Sequence, residues 1–194
     1  MLRRLAAAFA LVVCAGLIAP RGAAAAGDGD HELQLEAAFL VNFVRYTDWP
    51  AGRLGPAGAP YIVSVIGSQD DAADIAAVAA AAGRIDGRRI EVRRVAPASL
   101  SSRAAASSEL QASHVVFVRE DSNVRCATVR RLLGDAPVLT VGDATGFAAA
   151  GGMLGLVRVQ RHLAFEANPE AIRDARLMVS AKVLKLARIR RTAP

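Results

Sequence analysis

The sequence predicts an α/β fold: a three-layer α/β/α sandwich with a mainly parallel sheet and an antiparallel C-terminal hairpin. Three observations carry this expectation. Between residues 61 and 141, short apolar runs alternate with amphipathic stretches, the pattern of strand and helix units. The stretches between the runs are long enough to serve as the crossovers that parallel strands require. Beyond them, Met153 to Val159 and Leu163 to Ala167 are two apolar runs joined near Gln160-Arg161, which reads as a hairpin adding an antiparallel edge to the sheet.

Taken in order, the chain opens with an export signal. Arg3 and Arg4 give a positive start, Leu5 to Ala19 is apolar with only Gly16 inside it, and Ala23 to Ala26 supplies the small residues of a cleavage site. Residues 1–26 are thus expected to be a signal peptide cleaved near Ala26, leaving residues 27–194 as one domain, about 168 residues. The apolar run is shorter than the roughly twenty residues needed to span a bilayer. Val13 is bulky where a lipid-modified Cys14 would want a small neighbour. Loss of Arg3, Arg4 and Arg21 lowers the net charge from +6 to +3.

The first mature helix carries two apolar stripes. Leu33, Ala37, Leu40, Val41 and Val44 follow the spacing of a face packed on a core. Leu35, Phe39, Phe43 and Tyr46 form a second, aromatic stripe roughly 150° away, at about 100° per residue. Glu36 and Thr47 interrupt the stripes on one side. The second stripe is either packed inside the same domain or turned toward another chain. Trp49-Pro50 ends the helix, because the residue before a proline is pushed out of the α region.

Ala51 to Pro60 is a Gly, Pro and Ala loop, Tyr61 to Gly67 a strand, and Asp70 to Ala82 a helix stopped by Gly83. Arg89 to Val95 and His114 to Val118 read as strands, with a helix from Ser101 to Gln111 between them. Ser122 is expected to cap a helix running to Leu133, and Val138 to Val141 to form a fourth strand. A last helix from Pro169 to about Arg188 would bury Ile172, Ala175, Val179, Val183 and Leu186.

Chemistry is sparse. His31, His114 and His162 have no ligand partner at metal-binding spacing, and Cys126 is the only cysteine left after cleavage, so neither a metal site nor an intramolecular disulfide is expected. Cys126 falls beside Val129 and Leu133, as a small buried hydrophobe or a dimer-linking or redox-sensing thiol. No nucleophile elbow, phosphate loop or zinc-protease motif is present. Asp143 stands just past a parallel strand's carboxyl end, where doubly wound sheets place ligands. Asp143 and Thr145 also suit a turn, and Phe147 is either a plug over the sheet end or a contact. Lys182, Lys185, Arg188, Arg190 and Arg191 cluster late in the chain, as a solvated face or a weak attraction for an anionic membrane surface or acidic partner. Nucleic acid is not expected as a partner of an exported chain.

Several segments resemble the YfiR-like family of exported bacterial proteins. They are Ala37 to Pro50, Val138 to Asp143 with Gly146-Phe147 and Gly151-Gly152-Met153, Phe165 to Asn168, and Val179 to Ala187. The resemblance implies a compact, often dimeric α/β sandwich in the periplasm. It also implies repression of an inner-membrane diguanylate cyclase through that enzyme's periplasmic sensor domain, lowering cyclic-di-GMP and biofilm formation. No catalytic residue, cofactor or metal follows from it. Some relatives carry cysteine pairs; Ser113 and the Gly146 to Leu156 segment offer none, so redox control is not expected here. The expected partner contacts are Leu35, Phe39, Phe43, Tyr46, Trp49 and Phe147, facing a membrane sensor protein or a second copy, with at most peripheral membrane contact. The alternative is a small-molecule binding module with its site near Asp143 and Phe147.

Overall fold

The computed structural model describes residues 28–160 and 162–192. The predicted signal peptide, its cleavage near Ala26 and Cys14 lie outside the described residues. A seven-stranded sheet in the order β3-β2-β4-β5-β6-β7-β9 forms the middle layer. Its strands are β2 (Tyr61–Ile66), β3 (Ile90–Val95), β4 (Val115–Val118), β5 (Leu139–Gly142), β6 (Leu154–Val159), β7 (His162–Ala167) and β9 (Arg188–Ile189). Pairing is parallel from β3 through β6, antiparallel between β6 and β7, and parallel between β7 and β9. A separate two-stranded ladder joins β1 (Thr47–Asp48) antiparallel to β8 (Met178–Val179).

The period-2 geometry of a strand explains why the apolar runs are continuous. Val63, Val65, Val115, Phe117, Leu139 and Val141 point into one core, under α1 (Asp28–Arg45) and α2 (Gln69–Ala81). Ile66, Val116, Val118 and Val138 point into the other, under α3 (Arg103–Gln111) and α4 (Cys126–Leu133). All five residues of the predicted inner stripe of α1 are buried. Cys126 is a free, buried thiol, its pKa pushed up to about 11 by that burial.

Four local expectations are corrected. The helix after Pro169 is not continuous: α5 (Pro169–Asp174) ends where Arg176 takes a left-handed φ of 58°, the chain makes β8, and Ser180 caps α6 (Ala181–Leu184). Pairing with β1 outweighs helix continuation, and Leu186 is exposed as a result. Helix α3 begins at Arg103, after a 3-10 turn at Pro97–Ser101. Helix α4 begins at Cys126, because Ser122 instead closes a 3-10 turn, its hydroxyl donating to the Arg119 carbonyl. The hairpin is not the sheet edge, since β9 adds outside β7.

Candidate functional site

The strand order reverses between β2 and β4, since β2 connects to β3 on one side and β4 follows on the other. Doubly wound sheets leave a crevice at the carboxyl ends of such strands. Here it is filled from within the chain. Arg119, the first residue after β4, lies across it, and Gly67 after β2 makes room: a Cβ there would stand 2.8 Å from Arg119 Cγ. Arg119 Nη1 donates to Glu36 Oε2 on α1 and to Asp143 Oδ2 after β5, each at 2.6 Å. Its Nε is 3.3 Å from Oδ1 of Asp71, whose other oxygen caps α2 by accepting from the Ser68 backbone N–H at 2.8 Å. The Glu120 backbone N–H donates to Asp143 Oδ1 at 2.5 Å.

One guanidinium therefore serves three buried carboxylates. Burial, reinforced by the charge of Asp143, outweighs the attraction of Arg119 and raises the pKa of Glu36 to about 7. Asp143 is raised in the same direction, chiefly by burial. Desolvation opposes the Arg119 charge, but Asp143, Glu36 and Asp71 more than compensate and hold its pKa above the usual value. Arg119, Ser68 and the Glu120 amide engage the Asp71 and Asp143 oxygens and Oε2 of Glu36, so the arrangement ties α1 and α2 to the ends of β4 and β5. Outside it lies an acidic hollow of about 320 Å³ whose rim includes Glu32, Glu120 and Asp121. Among the described residues no group of three or more His, Cys, Asp or Glu is arranged to hold a metal ion.

A raised carboxyl makes a signed prediction. The native state binds the Glu36 proton more tightly than the unfolded chain does. Its contribution is complete below about pH 4.5 and is lost as pH rises through about 7, a loss of about 3 kcal/mol. Asp143 acts in the same sense. His114 acts in the opposite one, because burial lowers its pKa and stability falls as it charges below about pH 6.5. Glu36→Gln is expected to remove most of the fall between about pH 4.5 and 7 and to stabilise the protein by about 1–2 kcal/mol at about pH 8. Urea midpoints of both proteins across that range check it; parallel pH curves would refute the assignment.

The structure divides the six predicted contact residues. Phe43 is 1% exposed, in edge-on contact with Phe165 of β7 at 5.2 Å. Trp49 is buried against Tyr61 and His114, its indole N–H donating to the His114 carbonyl at 3.3 Å. Phe147 is buried between Gly142 and Gly152, where a Cβ would stand 2.4 Å and 2.2 Å from its ring. Leu35 at 43% and Tyr46 at 41% remain exposed, and half-buried Phe39 lies between them on α1, 5.8 Å from the Phe165 ring. Three of the six thus lie on one outer face formed by α1 and the turn residue after it. Sequence reasoning missed Arg119, Glu36 and Asp71. The strand-end criterion that marks Asp143 applies equally to Arg119, which directly follows Val115 to Val118, and could have found it.

Fold and site together define a doubly wound α/β domain whose strand-end crevice is closed by its own side chains and whose first helix presents an apolar outer face. The YfiR/HmsC-like family model, DUF4154, matches residues 33–188, and the chain belongs to that family. The family acts in periplasmic regulation of cyclic-di-GMP signalling, together with a membrane sensor protein; its members are regulators rather than enzymes. No curated protein matches the sequence. Among solved structures, a conserved domain protein from Vibrio cholerae O1 biovar El Tor is similar at 12% identity and TM-score 0.57, over 81% of this chain and 59% of that one. An ABC domain from Streptococcus pneumonia, solved with L-Trp, is similar at 14% identity and TM-score 0.56, over 79% and 62%. The chain thus spans about three fifths of each, and the likeness is one of fold.

Proposed function

We propose that this protein is exported, loses its signal near Ala26, and represses an inner-membrane diguanylate cyclase by binding that enzyme's periplasmic sensor domain. The observation that carries this reading is the outer face of α1. Leu35 and Phe39 on α1, with Tyr46 in the turn just past it, are apolar side chains on a segment held at two points: Glu36 is clamped to Arg119, and the chain just past Tyr46 pairs through β1 with β8. A contact surface fixed in advance loses little conformational entropy on binding. Repression then needs only preference for the inactive sensor state, at about 1.4 kcal/mol for each tenfold change in the ratio of states.

Leu35→Glu with Tyr46→Glu is expected to weaken binding to an isolated periplasmic sensor domain about a hundredfold or more, since a buried interface anchor contributes about 2 kcal/mol or more. Both positions are exposed in the free chain, so the thermal midpoint is expected to stay in place. Titration calorimetry with the native chain and the variant decides it; undiminished affinity rules the face out. Self-association, followed in the same preparations, tests whether a second copy uses the same surface.

The acidic hollow beside Asp143 favours a second reading, a module that binds a small cationic molecule at the strand ends. A cationic compound that raises the melting temperature of the native chain, but not that of Asp143→Asn, would favour this reading over the first.

A further inference from the structure

Among the described residues five large apolar side chains stand exposed, and three of them, Met178 at 69%, Leu186 at 77% and Ile189 at 55%, fall within twelve residues of chain. A fourth, Tyr46, is joined to the same segment, because the Ser180 N–H donates to the Tyr46 carbonyl at 2.9 Å. From residue 175 to the end the sequence holds six arginines and lysines and no acid. Arg190 is paired with Glu166, Arg191 reaches Glu170 at 3.9 Å, and Arg176 donates to the Asp135 carbonyl. Lys182, Lys185 and Arg188 have no acidic partner among the described residues, and all three are exposed. The basic charge is thus interleaved along the chain with protruding apolar side chains, through β8, α6 and the edge strand β9.

We propose that this C-terminal face is a peripheral docking surface for an anionic lipid bilayer. Charge complementarity selects the occupant. Uncompensated lysines and arginines are attracted to a negative headgroup layer, and their aliphatic stems let the charges stay at headgroup level while neighbouring apolar side chains enter the acyl boundary. Such insertion requires no matching pocket, which suits side chains that project from the surface. A protein hot spot would instead be expected to centre on aromatic or arginine side chains seated in well-packed surroundings. Docking here would confine the protein to the membrane plane, raising its local concentration near any membrane-bound target. The surface borders the partner face at Tyr46 but is otherwise distinct from Leu35 and Phe39, and Lys182, Lys185 and Leu186, substituted below, belong to it alone.

The test is co-sedimentation of the mature chain with vesicles of phosphatidylcholine alone and of phosphatidylcholine mixed equally with phosphatidylglycerol. Binding is expected only to the mixed vesicles, and it is expected to fall as salt rises. Lys182→Gln with Lys185→Gln is expected to weaken it about 25-fold, at about fivefold per lysine, and Leu186→Ser about tenfold. Arg89→Gln with Arg93→Gln removes the same charge from β3, the opposite edge of the sheet, and is expected to change binding less than twofold, about the scatter of the assay. All substituted side chains are exposed or at the rim, and circular dichroism confirms that each variant is folded. Failure of the native chain to bind mixed vesicles overturns the proposal, as does equal loss in the β3 double variant, which would show undirected cationic attraction. Retention on native membranes but not on protein-free mixed vesicles also overturns it, in favour of an acidic membrane protein.

Discussion

Arg119→Ala is expected to lower the unfolding free energy by about 3–5 kcal/mol near pH 8, the largest effect of any single surface-reaching side chain here. The reason is what the substitution leaves behind. Glu36, Asp71 and Asp143 converge on this one guanidinium, with side chains nearly inaccessible to solvent. Without it, three carboxylates remain in a desolvated crevice with no counter-ion. Protonation offers them an escape, and loss of the Arg119 charge raises their pKa values further, so the deficit is expected to be smaller near pH 5 than near pH 8. Denaturant unfolding of the variant at several pH values measures this, and a deficit that does not depend on pH would mean that Arg119 acts through packing alone. Adding Glu36→Gln to Arg119→Ala is expected to restore part of the loss near pH 8, because the two sites are in direct contact and their effects do not add.

Phe43→Ala is expected to cost about 3–5 kcal/mol, from lost burial together with the cavity left beneath α1. Phe39, four residues earlier, keeps one side in solvent, and its truncation is expected to cost about 1–2 kcal/mol through its contacts with Phe43 and Phe165. The pair tests how the aromatic stripe of α1 is divided between core and surface. Similar losses at both positions would mean that the stripe is uniformly interior, and would remove Phe39 from the contact face.

How far the sequence could be read follows from the range over which each feature is decided. The inner face of α1 and the strands β2, β4 and β5 are legible because burial writes a local periodicity: Leu33, Ala37 and Leu40 at helical spacing, and unbroken apolar runs where both strand faces are covered. The segment after Pro169 defeats the same rule. Ile172, Ala175, Val179 and Val183 are all buried at helical intervals, yet only the first lies in α5. The chain turns at Arg176 to meet β1, a partner that no local window contains. The ion cluster is hidden for a related reason. Glu36 looks like a polar break between two stripes until the fold brings Arg119 to it from 83 residues away. Asp143 was visible because strand-end position is a local property, whereas its counter-ion was not.

The ladder between β1 and β8 has a consequence for the order in which the molecule assembles. Thr47 meets Val179, and Asp48 meets Met178, across almost the whole length of the domain. Helix α1 leads the domain, but its anchors come later: Arg119 from the middle of the chain and β8 from near its end. Contacts of such wide sequence separation form only after the intervening chain has lost its freedom, and they slow folding. The leading helix can pack on α2 early, but these two anchors are expected to form late. A nascent chain cut short before Met178 leaves Thr47 and Asp48 unpaired, and with them the path into the 51–60 loop. Pairing of β8 with β1 is therefore expected to be a late step that completes the fixing of the first helix.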